Sequence, residues 1–399
     1  MQLVIDHEIE RLRAEVRAFI EANRPALKTP PKAGVRAPEP DDIPVLREWT
    51  RQLFAAGYVG ADWPTEWGGS GAADPVRAAV AGEEMARARV PMPVGAGLLT
   101  AMALIHYGSQ QQKARFLPRI RSGADIWCQL FSEPEAGSDL ASMRTRARRE
   151  GDWFVIDGQK VWTTVGQHAQ LGYLLARTDP DAEKHAGITA FIADMTAEGI
   201  DVRPLREITG SYDFNEVFLD RVRIPAENVI GAVGQGWQVA TTSLVHERSG
   251  VGAAGITTVR TVGDAVTMAR AAQRGGRPAL DSDAVRQELG RLYAAARITG
   301  MLAQYNLSRT LDGTADAADA PLAKVFHSET NLALADFGLG LLGTESLLTA
   351  DDPGAVADGW WQDAFLYARA YTIAGGANEV LRTMIAERAL GLPREPKGS

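Results

Sequence analysis

Two short stretches hold the residue types most suited to chemistry. The first runs Trp127-Cys128-Gln129-Leu130-Phe131-Ser132-Glu133-Pro134-Glu135-Ala136-Gly137-Ser138-Asp139. Its apolar start reads as a strand. It breaks at Ser132 into a turn built from Pro134, Gly137, Ser138 and Asp139, each a turn former for its own reason. Such a turn offers small hydroxyls and unpaired backbone N–H groups, which suit a polar planar ligand better than a core. The second stretch, Gln159-Lys160-Val161-Trp162-Thr163-Thr164, sets an indole beside two hydroxyls. An indole face with hydroxyl donors suits a wall against an aromatic cofactor. Taken alone, the same pattern also fits a hairpin with a core tryptophan and surface hydroxyls.

Taken together, the two stretches resemble the acyl-CoA dehydrogenase family, and Ile373-Ala374-Gly375-Gly376-Ala377-Asn378-Glu379 extends the likeness over nearly the whole chain. The resemblance implies FAD as cofactor and oxidation of an acyl-CoA thioester to its 2,3-enoyl-CoA. It assigns Gln129, Leu130, Phe131 and Ser132 to the edge of the isoalloxazine and Ser138 to cofactor or thioester. Trp162 and Thr164 fall where the family lays residues against the flavin near N5. Ala377, Asn378 and Glu379 match residues near the FAD diphosphate at a helix start, where backbone N–H groups favour anions. Arg274 falls where the family puts an arginine on the pyrophosphate of a neighbouring subunit's FAD, a task its fork of donors suits.

Removal of an α-proton from a thioester needs a carboxylate held in an apolar pocket that raises its pKa. Many family members carry a glutamate where this chain has Gly375, so the usual base is absent. Other relatives carry it on the first long helix of the C-terminal domain, and there Glu247 stands in Leu244-Val245-His246-Glu247-Arg248. Its neighbours Leu244, Val245, Val251 and Ala253 are apolar or small. The alternative is a glutamate paired with some arginine; Arg248 is a poor partner, because adjacent helix residues do not face each other. Arg248 itself matches an arginine near the acyl-CoA and fits a solvated or ion-paired helix residue equally well. Gly375 keeps its N–H, so by resemblance it still donates to the thioester oxygen, with Gly376 beside it in the substrate site. The implied reaction has Glu247 take the α-proton while the β-hydride moves to flavin N5, and electrons leave through an electron-transfer flavoprotein.

Other motifs lead nowhere. Gly338-Leu339-Gly340-Leu341-Leu342-Gly343 spells G-x-G-x-x-G, but a dinucleotide fingerprint needs a strand before it and a helix after it. Here it falls inside a helical pattern, where the glycines serve close packing or, by the resemblance, approach to the FAD adenosine. Gly340 and Thr344-Glu345-Ser346 depart from the family pattern, which bears on the half of the FAD site contributed across a subunit interface. The six histidines show no metal-ligand spacing, so no metal is expected.

These residues need elements to position them. Helical spacing from about 5 to 23 is followed by a proline-studded link, then helical patterns at Leu46 to Ala56 and from Pro75 to about Ile120. Short β patterns run from Trp127 to about Ile224, with Asp157-Gly158 as the hairpin signal between two of them. Helices return at Trp237 to Ala272, read as one, then at Asp283 to Leu311, Leu322 to Leu348 and Gly375 to about Leu390. The expected organisation is α+β: an N-terminal helical domain (1–124), a small central β domain (125–234) and a C-terminal four-helix bundle (235–399). The family's fold places FAD at a subunit interface, so the resemblance implies a homotetramer built as a dimer of dimers, or a heterotetramer with a related subunit.

Composition agrees with a globular enzyme. The chain has 399 residues, 45% hydrophobic and 23% charged, with a net charge of −8 that argues against a nucleic-acid partner or a basic membrane patch. No apolar run is long enough to span a bilayer. Met1 to Glu10 carries early acids and no basic run, so it does not read as a signal peptide. The single cysteine, Cys128, excludes an intrachain disulfide, and a reducing cytoplasm is the default. The function expected is FAD-dependent α,β-dehydrogenation of an acyl-CoA. The alternatives are an acyl-CoA oxidase using O2, or a non-catalytic or half-site subunit of a heteromeric complex. The glycine at 375 and the run ending Ala389 to Arg394 resemble the actinobacterial subgroup acting on branched, cyclic or sterol-derived chains.

Overall fold

A computed structural model describes residues 7–29, 32–69, 74–248, 251–350 and 352–394, and the side chains of 75, 245–248, 251 and 252 also lie outside what is described. The segment before His7, read above against a leader, is therefore not described. Helices α1 (His7–Asn23), α2 (Ile43–Ala55), α3 (Pro75–Ala88), α4 (Gly97–Tyr107) and α5 (Gln110–Arg121) come first. The stretch from Pro75 to Ile120 is thus three helices. A left-handed Arg89 and Gly95, with Pro91 and Pro93 between them, end the first. A capping box at Ser109, whose hydroxyl and backbone N–H exchange bonds with Gln112, starts the last.

The β region has β1 (Trp127–Leu130), β2 (Arg146–Glu150), β3 (Trp153–Thr164), β4 (Leu171–Arg177), β5 (Ile188–Asp194), β6 (Ile200–Leu205), β7 (Phe214–Pro225) and β8 (Val229–Ile230). They form one sheet in the order β6-β7-β3-β2-β4-β5-β8, with β1 parallel to β4. β5 is buried at every residue but its last, as a strand covered on both faces must be, whereas β6 at the edge alternates or is open. Cys128, Leu130, Phe154, Ile156, Leu174, Phe191, Val217 and Ile224 fill its core. Burial there pushes the Cys128 thiol up to about 12.

The hairpin signal at Asp157-Gly158 is overturned. β3 runs straight through it, and the reversal between β2 and β3 sits at Gly151-Asp152, with Gly151 left-handed at φ 63°. Glycine at 158 serves a close approach: a Cβ there would lie 2.4 Å from Thr145 Oγ1. Pairing of β3 with β7 shifts register at this point and again between Lys160 and Thr163.

The C-terminal part has α6 (Gly236–Arg248), α7 (Val251–Ala271), a small hairpin β9 (Gln273–Arg274) and β10 (Arg277–Pro278), then α8 (Asp283–Leu311), α9 (Asp319–Leu342), α10 (Trp360–Ile373) and α11 (Asn378–Met384). The helix expected from Trp237 to Ala272 is described as α6 and α7, and residues 249 and 250 between them lie outside the described residues. The helix expected to reach Leu348 stops at Leu342, with left-handed Gly343 behind it. The last helix starts at Asn378 instead of Gly375, and α10 was missed altogether. The chain divides into two compact units. One comprises Met1–Pro30, Val35–Ala81 and Val90–Glu247, and the other Pro31–Gly34, Gly82–Arg89 and Arg248–Ser399. The second unit is a bundle of α7 to α10 whose core includes Val262, Met268, Leu289, Leu292, Leu334, Leu341 and Trp361.

Candidate active site

In the first unit, the two motif stretches are adjacent and tied by three bonds. Val161 N–H donates to Ser132 O at 2.9 Å, Lys160 Nζ donates to Phe131 O at 2.9 Å, and Lys160 Nζ pairs with Glu133 Oε1 at 2.8 Å. The Glu133 carboxylate also accepts from the N–H groups of Arg144 (2.6 Å) and Thr145 (2.9 Å). Glu133 and Ala136 exchange both backbone bonds, so Pro134 and Glu135 form the tip of a tight turn. Lys160 is fully buried and Glu133 nearly so. Burial pushes the Lys160 ammonium down to about 8 against the pull of Glu133. For Glu133, burial opposes ionisation, but the Lys160 charge and the donated bonds outweigh it and hold the carboxyl below the usual range. Neither residue announces its role in the sequence, because an ion pair across 27 positions leaves no periodic signal.

This scaffold supports an unusual strand end. Trp162 lies in the second register shift of β3, at φ 60°, and Val165 follows at φ 55°. Left-handed backbone is costly for a bulky or β-branched residue, about 1–3 kcal/mol each, and persists only where the surroundings over-determine it. Asn215 supplies part of that restraint, its amide donating to Thr163 O at 2.9 Å and Gln167 Oε1 at 2.6 Å. The bulge reverses the alternation: Lys160, Val161 and Thr163 are buried, while Trp162 is turned out, 60% exposed, with its edge against Phe214. A core tryptophan is therefore excluded. An outward indole held by strain, next to half-buried Thr164 and Ser132, fits the wall of a planar cofactor such as FAD.

The other residues of the first motif divide by burial. Leu130 and Phe131 put their side chains in the core, Phe131 edge-on to Tyr173 at 4.8 Å, so only their backbone can meet a ligand. Gln129 and Ser132 are half-buried and Ser138 is exposed. Helix α6 is docked on this unit by Ser243, whose hydroxyl meets Tyr173 OH at 3.3 Å, and by Thr242, which meets Tyr107 OH at 2.9 Å. The backbone of Glu247 lies one helical turn beyond Ser243; the side chains of Glu247 and Arg248 lie outside the described residues.

In the second unit, α10 ends at Ile373 and the chain turns through Gly375 (φ 67°) and Gly376 (φ 102°), both left-handed, into Ala377 and α11. Such a turn requires glycine. Gly375 is exposed and its N–H meets no acceptor among the described residues. The side chain of Asn378 is buried and engaged by Lys324, Ser328 and Glu329, while Glu379 is exposed. Arg274, exposed on the β9–β10 hairpin, donates to Gly340 O at 2.7 Å, so it is engaged at a position where the chain departs from the family pattern. Gly338 is a packing glycine, since a Cβ there would fall 2.1 Å from the Trp361 ring. The literal G-x-G-x-x-G thus spans the end of α9 and no strand precedes it. His327, to which sequence reasoning gave no role, stands in this unit against Tyr371, with Thr258 Oγ1 at 3.5 Å from Nδ1; burial first and the Lys324 charge second push its pKa down to about 4. Among the described residues no group of histidine, cysteine and carboxylate side chains could hold a metal, and no helix is long and apolar enough to cross a membrane.

Comparison with known proteins identifies the family. Models of the N-terminal, middle and C-terminal domains of acyl-CoA dehydrogenase match residues 6–124, 128–222 and 234–390. The chain is 38% identical over 404 residues to the acyl-CoA dehydrogenase IpdE1 of Mycobacterium tuberculosis (strain ATCC 25618 / H37Rv), covering 98% of this chain and 100% of that one. Its fold is similar to that of the Tcur3481-Tcur3483 steroid ACAD, with TM-score 0.84, 32% identity, and 99% and 100% of the two chains covered. It is also similar to a chain of the ChsE4-ChsE5 complex from Mycobacterium tuberculosis, with TM-score 0.82, 32% identity and the same coverage. With all three domain models matched and relatives aligned end to end, this chain belongs to the acyl-CoA dehydrogenase family.

Proposed function

We propose that the chain carries out α,β-dehydrogenation of an acyl-CoA, with Glu247 as the base that removes the α-proton and the Gly375 N–H as donor to the thioester oxygen. The observation that carries this reading is Trp162, turned outward at a strained bulge that a buried ion pair stabilises. Strain of that kind points to function. Gln129, Ser132, Ser138, Trp162 and Thr164 would hold FAD; Ala377 and Glu379 match residues near an FAD diphosphate, and Arg274 would reach the pyrophosphate of a neighbouring subunit's FAD. FAD, when bound, supplies the two-electron acceptor for the β-hydride. The enolate that develops as Glu247 takes the proton places negative charge on the thioester oxygen, where a fixed N–H is worth most. Gly376 continues the same turn beside it, and Arg248 supplies a cation toward the CoA. An electron-transfer flavoprotein in the cytoplasm is the proposed acceptor. Because the similar structures include proteins named as steroid acyl-CoA dehydrogenases, we place the substrate among sterol-derived or other ring-bearing acyl chains.

The test is anaerobic bleaching of the flavin by a panel of acyl-CoAs, for wild type and Glu247→Gln. Loss of about a hundredfold or more in the mutant supports the base, since general-base groups contribute on that scale. Bleaching that persists rejects Glu247. A second reading, a half-site subunit working with a related chain, is favoured by the altered segment Gly340 to Ser346, where Arg274 is bonded to protein. The two-component names of the similar structures point the same way. Purification decides it: FAD near one per chain without a partner opposes it, and a colourless protein that takes up flavin only with a partner supports it. Release of peroxide on turnover would move the assignment to an oxidase.

A further inference from the structure

The Gly375–Gly376 turn has a problem that its glycines create. Two consecutive glycines lose more conformational freedom on ordering than any other pair, and no side chain of their own fixes them. A Cβ at Gly375 would meet nothing within 4 Å, so packing does not hold that residue either. The turn is nevertheless pinned on both sides. On the α10 side, Ala374 N–H donates to Ala370 O at 2.8 Å. On the α11 side, Lys324 Nζ donates to Gly376 O at 2.6 Å and to Asn378 Oδ1 at 2.9 Å. Asn378 is itself locked to α9, its amide group 3.0–3.1 Å from Ser328 Oγ and 3.4 Å from Glu329 Oε1. Arg382 of α11 pairs with the same Glu329 at 2.5 Å. The cationic donor makes the Gly376 bond one of the stronger kind. Between the two anchors lies the Gly375 N–H, which has no acceptor among the described residues.

We infer that Lys324 is a positioning residue that fixes the Gly375–Gly376 turn against α9 and so aims the Gly375 N–H at the thioester oxygen. The inference rests on the reading of Gly375 given above. Lys324 acts through the turn backbone, by way of the bond to Gly376 O.

The experiment uses the flavin-loaded protein, with its partner chain if one is required, and a dimethylaminocinnamoyl-CoA probe. The absorption of that chromophore moves to longer wavelength when its thioester carbonyl is polarised. Wild type, Lys324→Met, Lys324→Gln and Lys324→Arg are compared for the shift on binding, for kcat and KM, and for melting temperature. The expected result is a clear shift in wild type, at least half lost in Lys324→Met, with kcat down about tenfold or more, the scale of a transition-state hydrogen bond. KM stays within about threefold, because ground-state binding is little changed, and Lys324→Arg recovers part of the shift. A full shift in folded Lys324→Met overturns the inference and leaves the Gly375 reading intact. No shift in wild type overturns the Gly375 reading, and the inference falls with it. If Met and Gln variants both fail to fold while Arg folds with an unchanged shift and kcat, Lys324 is structural only and the inference is rejected.

Discussion

The strand end at Trp162 and the turn at Gly375, the two places proposed to meet ligands, hold their backbone in opposite ways. At Trp162 the backbone is left-handed although the residue is bulky, and the sheet absorbs the strain. At Gly375 the backbone is left-handed because the residue is glycine, so there is no strain, and the difficulty is freedom. Both regions nevertheless use a lysine on a backbone carbonyl: Lys160 on Phe131 O, Lys324 on Gly376 O. Lys160 is sealed in with a carboxylate, while Lys324 is half-buried and bonded to an amide oxygen. A strained element needs a rigid foundation, and a free element needs only a tether.

Removing one partner of the sealed pair tests that contrast most severely. Glu133→Ala or Lys160→Met should each cost about 3–5 kcal/mol in denaturant unfolding, because an uncompensated charge or a broken network is left buried. A loss under about 1 kcal/mol, the value of an exposed pair, would sink the foundation argument.

Acid should separate the two regions next. His327 has a folded pKa of about 4, below its ordinary 6.5, so the unfolded chain binds the extra proton first. Its contribution is complete above 6.5 and is lost as pH falls toward 4, by up to about 3 kcal/mol. Glu133 is also depressed, so its contribution is present above its ordinary value of 4.5 and is lost only as pH falls through its lower folded value. Hydrogen exchange from pH 7 down to 4 should therefore loosen α9 before β3; loosening of β3 first contradicts the assignment.

The tether should be worth less. Lys324→Met should cost about 1–3 kcal/mol of stability, the range for a charged hydrogen bond, and clearly less than Lys160→Met. Equal losses would mean that the two lysines do the same structural job. The smallest effect is expected at the strained tryptophan. Trp162→Gly should leave stability within about 1 kcal/mol of wild type, the relief of left-handed strain offsetting lost backbone restriction. Its flavin content after dialysis should fall all the same. Unchanged flavin content would argue against the cofactor wall.

Much of this was readable in the chain. β4, β5 and α8 follow from short apolar runs bounded by turn signals and from helical spacing, and α8 begins and ends where expected. The two motifs identified the family because they are long and correctly separated. The failures have physical reasons. At Asp157-Gly158 the local turn preference lost to pairing with β7, and the true reversal at Gly151-Asp152 carried its own glycine signal. Helix α10 lacks a side-chain cap, starting behind the left-handed Gly359, and Trp360-Trp361 at its head gives a helix no special signature. Nothing local announces that Trp162 adopts a positive φ or that Lys160 reaches Glu133, since both depend on strands brought together by the fold. The Lys324 tether bridges 52 positions to Gly376 and is equally invisible in one dimension.

The one cysteine has a practical consequence. Cys128 is wholly buried, and its thiol is held far from the ionised form that reacts with electrophiles. The native chain therefore behaves as a background already cleared for maleimide labelling. A cysteine placed at exposed Ser138 would be the one reactive handle, so a fluorophore could report ligand arrival there without any further engineering.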